Sequence, residues 1–174
     1  GCIFGPTLTR SSYLLRFAQT EENVVIRENV FAGNLVGGAV LNVSAQAPDA
    51  FLIEGNLFEN NQAVSDTGRG GILVFPDYPL YQPYGGTIRN NLFVNCFGGM
   101  TGTNAVDVVN ADAALYDNRF REEAFDLWYR PTVRITSGTN SLLRNNLFLH
   151  TGTALASINA TVDAEWNWWG DETG

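Results

Sequence analysis

The sequence predicts an all-β solenoid, a parallel β-helix of about six coils. Two observations predict it: a short motif recurs six times along the 174-residue chain, and short apolar segments lie between the copies. Both kinds of segment are rich in β-branched and aromatic residues and are bounded by Gly, Asn and Asp, which is typical of alternating strands and turns. We find no sustained helical period, which argues against a mixed helix and strand domain.

The recurring motif is an Asn, then any residue, then an aromatic residue, with an apolar residue three positions before the Asn. The intervals between copies vary from 21 to 35 residues, as expected of a solenoid whose insertions fall in loops. The repeated asparagines are Asn29, Asn56, Asn91, Asn118, Asn146 and Asn167. The aromatic positions are Phe31, Phe58, Phe93, Phe120, Phe148 and Trp169.

The chemistry of the motif explains why an Asn recurs. Asn tolerates the left-handed backbone conformation that a sharp bend between strands requires. In coils stacked about 4.8 Å apart, its amide can also hydrogen-bond to the equivalent amide of the next coil. The aromatic residues then form an internal column, and six coils give a rod on the order of 25–30 Å long.

This pattern, with its preceding Ile or Leu, resembles the repeats of the pectate-lyase-like superfamily, whose members are right-handed parallel β-helix proteins. The segment Asn167–Gly170, followed by Asp171, is similar to a closing motif common in those proteins. The resemblance covers residues 24–174 and implies a right-handed parallel β-helix there. We expect residues 1–23 to form an N-terminal partial coil, or a cap or contact segment. A β-sandwich with chance Asn repeats is the alternative.

The resemblance also raises an enzymatic alternative, the cleavage of acidic polysaccharides. Pectate lyases imply a Ca²⁺ held by Asp residues and a basic residue that takes a proton from the sugar. Candidates here are Asp107 and Asp126, with Arg130 or Arg134 as the base, but their spacing matches no motif. The only histidine, His150, is expected in a turn, and the chain has no lysine for a glycosidase-type site. We therefore predict no catalytic residues, no metal site and no cofactor.

Composition narrows the classes of partner. The net charge is −8 and every cation is an arginine, without the basic stripe of a nucleic-acid binder. With 45% hydrophobic and 16% charged residues the chain is expected to be ordered, and no apolar run is long enough to span a membrane. Because the chain begins at Gly1, we interpret it as processed or excised. Cys2 and Cys96 either form a disulfide or remain two thiols.

Candidate contact residues are aromatic. The residues between each Asn and its aromatic partner would point outward as an apolar stripe that includes Trp168, with Trp166 nearby, unless a loop covers them. Tryptophans there could also stack on sugar rings. A Pro-rich insert carries the three further candidates Tyr78, Tyr81 and Tyr84.

Two sequons permit N-glycosylation if the chain is secreted, and they begin at Asn42 and Asn159. We expect an extracellular or cell-surface structural or adhesive module. The ends of a solenoid expose unpaired backbone groups, and no amphipathic capping helix is visible in the sequence. The expected partners are therefore copies of the chain stacked head to tail, another domain of a longer chain, or glycans. A carbohydrate-binding or polysaccharide-cleaving domain is the alternative.

Overall fold

The computed structural model describes residues 1–8, 12–20, 24–45, 47, 49–75, 85–122, 130–138, 140–149 and 153–170. These residues form a parallel β-helix with three six-stranded parallel sheets and one two-stranded sheet. The predicted fold class is confirmed. Throughout the described ranges the secondary structure is strand and turn, and no helix is present that could cross a membrane.

Each coil contributes one strand to each large sheet. The first sheet, which carries the motif, consists of β1 (Ile3–Phe4), β4 (Val30–Ala32), β8 (Leu57–Glu59), β12 (Leu92–Val94), β15 (Arg119–Arg121) and β18 (Leu147–Leu149). The second sheet consists of β2 (Tyr13–Thr20), β6 (Ala39–Ala45), β10 (Arg69–Val74), β13 (Val106–Val109), β16 (Val133–Thr136) and β19 (Leu155–Ile158). The third consists of β3 (Val24–Arg27), β7 (Phe51–Glu54), β11 (Gly85–Arg89), β14 (Asp112–Tyr116), β17 (Ser141–Arg144) and β20 (Val162–Asp163). The small sheet pairs β5 (Leu35–Val36) with β9 (Gln62–Ala63).

Equivalent residues of successive coils lie side by side. Phe58 pairs with Phe93 in the first sheet, and Ile53 pairs with Ile88 in the third. Side chains alternate between the interior and the outside because successive residues of a strand face opposite ways. The inward residues of all three sheets form one continuous apolar core along the rod.

The corner before the first sheet differs from the sequence-based expectation. The left-handed residue is the one before the motif Asn, and the Asn itself does not adopt a positive φ. The corner residues are Glu28 (φ 56°), Gly55 (65°), Asn90 (55°), Asp117 (54°), Asn145 (56°) and Trp166 (61°). Four of these six are Gly, Asn or Asp, which adopt this conformation most readily. The motif Asn is therefore explained by its hydrogen bonds rather than by its backbone.

The N-terminal residues supply a further strand to two of the sheets. β1 pairs with β4, and β2 pairs with β6. Ile3 lies opposite Val30, which places Cys2 where later coils have the motif Asn. Residues 2–4 are thus a seventh copy of the motif, hidden in the sequence because a Cys replaces the Asn.

Candidate functional site

An asparagine ladder runs along the corner where each coil enters the first sheet. In an interior rung, the backbone N–H and the Nδ2 of Asn56 both donate to Oδ1 of Asn91, at 2.9 and 3.0 Å. Nδ2 of Asn56 also donates to the carbonyl of Ile26 in the preceding coil. Amide-to-amide contacts of this kind join Asn29, Asn56, Asn91, Asn118, Asn146 and Asn167. The ladder satisfies polar groups that would otherwise be buried without partners.

A column of stacked aromatic rings lies beside the ladder. Adjacent ring centroids are 4.7–5.0 Å apart and adjacent ring planes differ by 8–14°. The seven rings belong to Phe4, Phe31, Phe58, Phe93, Phe120, Phe148 and Trp169. The column therefore extends from the first described coil to the last.

The two cysteines occupy ladder positions in different coils. A second, shorter ladder runs from Asn34 to Asn61 and then to Cys96, whose Sγ donates to the carbonyl of Phe58 at 3.4 Å. Burial raises the pKa of the Cys96 thiol to about 12, so it stays protonated at neutral pH. Cys2 is exposed, and both cysteines are free thiols rather than a disulfide.

The outward stripe lies on the first sheet. Its members are in register from coil to coil, and each is next to a Phe or Trp of the ring column, so that they face outward. They are Ile3, Val30, Leu57, Leu92, Arg119, Leu147 and Trp168. Leu92 is 38% exposed and Trp168 is 45% exposed, so the stripe is open to contact at these points.

Trp166 combines high exposure with an unfavourable backbone conformation. It is 78% exposed and has a φ of 61°, at a corner where two other coils have an Asn. A bulky residue in the left-handed region costs on the order of 1 kcal/mol or more relative to a residue that prefers it. Trp166 is therefore a candidate for a contact outside the isolated chain.

We expect Trp166→Asn to raise the free energy of unfolding by about 1 kcal/mol, because Asn relieves the left-handed strain. The reverse change at the equivalent corner, Asn145→Trp, should lower it by a similar amount. Urea denaturation followed by circular dichroism measures both. A loss of stability in Trp166→Asn would mean that the indole holds the last coil together.

The two enzymatic candidates Asp107 and Arg134 lie in contact on the outward side of the second sheet. Asp107 is fully buried. Its Oδ1 accepts a hydrogen bond from Nε of Arg134 at 3.0 Å, and its Oδ2 accepts from Nη2 of Arg134 and Nε of Arg69, each at 2.6 Å. The hydrogen bonds to Asp107 raise the pKa of Arg134 above its ordinary value. A Ca²⁺ ion would have to displace two guanidinium groups to reach this carboxylate.

Arginine side chains at this Arg–Asp–Arg cluster also hydrogen-bond to the backbone of the adjacent segment 98–101. Nη1 of Arg134 donates to the carbonyl of Thr101, and Nη1 of Arg130 donates to the carbonyl of Gly98. Arg134 thus ties Thr101 to the second sheet, and Arg130, which precedes β16, holds Gly98. The geometry is that of a structural ion cluster, and within the described ranges no group of metal-ligating side chains is present.

The remaining candidates are placed as follows. Tyr78, Tyr81, Tyr84, Asp126 and His150 lie outside the described residues. Of the two sequon asparagines, Asn42 is only 3% exposed and Asn159 lies exposed at a corner with a φ of 50°. Asn159 is therefore the better placed of the two for a glycan on the folded chain.

Comparisons of the chain with protein-family models, curated proteins and solved structures find no match.

Proposed function

We propose that the chain is a structural module of an extracellular or cell-surface assembly, in which copies stack head to tail through their end coils. Membership of the pectate-lyase-like superfamily is part of this proposal, supported by the motif and by the parallel β-helix. The observation that carries the proposal is the continuity of the interior. The hydrogen-bonded sheets and the ring column extend to both end coils of the described chain, and the asparagine ladder extends to the C-terminal end coil.

The end coils present strand edges that fit another coil. At one end of the rod β1, β2 and β3 are edge strands, and at the other end β19 and β20 are. An edge strand pairs readily with a further strand from another chain. Trp169 stacks on Phe148 with one face, and the order of the column leaves its other face toward the end of the rod.

Ser157→Arg is expected to abolish the stacking. Ser157 lies in β19 opposite the buried Ile135. Its side chain is therefore on the inward side of the sheet, at the C-terminal end of the rod. An arginine there stays hydrated in the single chain but would be buried by a further coil, and inward charges of this kind block strand pairing. Sedimentation velocity over a concentration series measures the loss of assembly.

The matched control is Ile158→Arg, one residue later on the same strand. Ile158 lies opposite Thr136 on the outward side and is 47% exposed, so this arginine should leave the stacking intact. If Ser157→Arg assembles like the parent chain, β19 is not part of the contact. If the parent chain stays monomeric at high concentration, the self-assembly proposal is wrong.

Glycan binding is the second candidate function, and the exposed Trp166 and Trp168 favour it. An exposed indole offers a flat apolar face that stacks on sugar rings. Glycan-array binding by the parent chain that is lost in Trp166→Asn would support it. Binding that survives this change would exclude Trp166 from the glycan site.

A further inference from the structure

The three large sheets differ in their number of rungs, a rung being the position of one strand or bridge along the rod. After the six strands of the first sheet, Trp168 forms a bridge to Leu147 and begins a seventh rung. The second and third sheets stop at six strands, with β19 and β20 at the edge. If β1 of a second copy stacked on this seventh rung, the other two sheets would each lack one strand at the junction.

The N-terminal rung of the first sheet makes fewer ladder hydrogen bonds than the C-terminal rung, in which Asn167 accepts from both the backbone N–H and the Nδ2 of Asn146. β1 has only two residues, and its Ile3 side chain is 78% exposed. The backbone N–H of Cys2 donates to Oδ1 of Asn29. In the interior rungs the equivalent Oδ1 accepts from both the backbone N–H and the side-chain Nδ2 of the preceding Asn. Cys2 has no side-chain amide, so it supplies only the backbone N–H.

A buried acceptor beside this rung lacks a partner. Among the residues that the structure describes, Oδ1 of Asn34 finds no hydrogen-bond partner, although Asn34 is only 1% exposed. In the next coil the equivalent Oδ1 of Asn61 accepts two hydrogen bonds from Asn34. An unsatisfied buried acceptor is destabilising because it has lost its hydrogen bonds to water. The segment Gly1–Leu8 therefore fills this edge incompletely.

We infer that, in the head-to-tail assembly, the rung Asn167–Trp169 of one copy takes the place of Gly1–Phe4 in the next copy. The inference rests on the proposed stacking and defines its register. β19 then lies directly beside β2 of the next copy, and β20 beside β3, without a missing strand. Each copy adds six rungs, so the axial repeat is about 29 Å.

The exchange completes both internal columns. Asn167 offers a backbone N–H and an Nδ2 to Oδ1 of Asn29, which repeats the contact of every interior rung. Trp169 inserts between Phe148 of its own chain and Phe31 of the next copy, in the place of Phe4. The mode of association is strand addition to a sheet edge, and main-chain hydrogen bonds supply its affinity.

A reducible disulfide that locks β1 to β4 tests whether β1 has to leave the sheet before copies can assemble. Ile3 and Val30 are opposite each other in adjacent parallel strands and both face outward. Strands about 4.8 Å apart bring such residues within the Cα separation of a disulfide. In a Cys2→Ser background, the double change Ile3→Cys and Val30→Cys should prevent assembly when oxidised and restore it when reduced.

The control lock joins two interior rungs of the same stripe. Leu57→Cys and Leu92→Cys, which are also in register, should form a disulfide that leaves assembly unchanged in both redox states. Removing residues 1–5 should lower the concentration needed for assembly by about tenfold, because the competing strand no longer has to be displaced. Circular dichroism checks that each variant remains folded.

The outcomes separate the two proposals. If the oxidised Ile3–Val30 lock assembles as well as its reduced form, the exchange is wrong and the stacking proposal stands. The same conclusion follows if removing residues 1–5 leaves the assembly concentration unchanged. If the parent chain stays monomeric at high concentration, both the stacking and the exchange are wrong.

Discussion

Replacing Asn91 by Ala is expected to lower the free energy of unfolding by roughly 2–6 kcal/mol. Oδ1 of Asn91 accepts hydrogen bonds from the backbone N–H and the Nδ2 of Asn56, and its Nδ2 donates to the carbonyl of Ile53. All three residues are buried, so the change leaves the backbone N–H of Asn56 without its partner and removes one hydrogen bond each from Nδ2 of Asn56 and the carbonyl of Ile53. The orphaned N–H costs about 1–3 kcal/mol and each lost hydrogen bond about 0.5–1.5 kcal/mol, and urea denaturation measures the sum.

The neighbouring residue provides a matched control. Asn90 has a φ of 55° and lies exposed at the corner. Because Gly adopts this conformation without steric cost, Asn90→Gly should change the free energy of unfolding by less than about 1 kcal/mol. Equal losses in the two variants would contradict the view that the ladder bonds, and not the corner conformation, account for the recurring motif Asn.

Asp107→Ala is expected to destabilise the chain by about 3–5 kcal/mol. The side chains of Arg69 and Arg134 are each only 18% exposed and share this one carboxylate. Removing it leaves two partly buried positive charges close together, without the negative charge that offsets their desolvation. Thermal and urea denaturation of the variant measure the loss.

Glu54→Ala is the control, because Glu54 also lies between two arginines. It pairs with Arg27 and Arg89, whose side chains are 51% and 44% exposed. Ion pairs open to solvent contribute about 0–1 kcal/mol, so this variant should lose little stability. If Asp107→Ala costs no more than Glu54→Ala, the cluster on the second sheet is solvated and the segment 98–101 does not depend on it.

The fold could be predicted because one residue pattern marks every coil. In a parallel stack, equivalent residues of successive coils lie side by side. Each repeated Asn or Phe is therefore expected to contact the equivalent residue of the next coil. Where the pattern changes chemistry, the prediction fails. Cys2 and Cys96 stand at ladder positions, and with a Cys in place of an Asn neither was recognisable as a rung. The left-handed corner was assigned to the wrong residue because Asn at the motif explained both features equally well.

The contacts on the outward side of the sheets were harder to predict. The outward stripe follows from alternation within the motif strand, so all of its members except Ile3 could be named from the sequence. The pairing of Asp107 with Arg69 and Arg134 depends on the register of the second sheet. Because the coils differ in length, that register could not be read from the repeated motif. Asp107 and Arg134 were identified only as separate residues, and Arg69 was missed. The strain at Trp166 became visible only once its φ of 61° was known.

Electron microscopy of the unmodified chain at rising concentration tests the head-to-tail proposal most directly. The expected result is rods that lengthen with concentration and show an axial repeat of about 29 Å, the height of six rungs. Particles with the length of a single chain at every concentration would contradict the proposal.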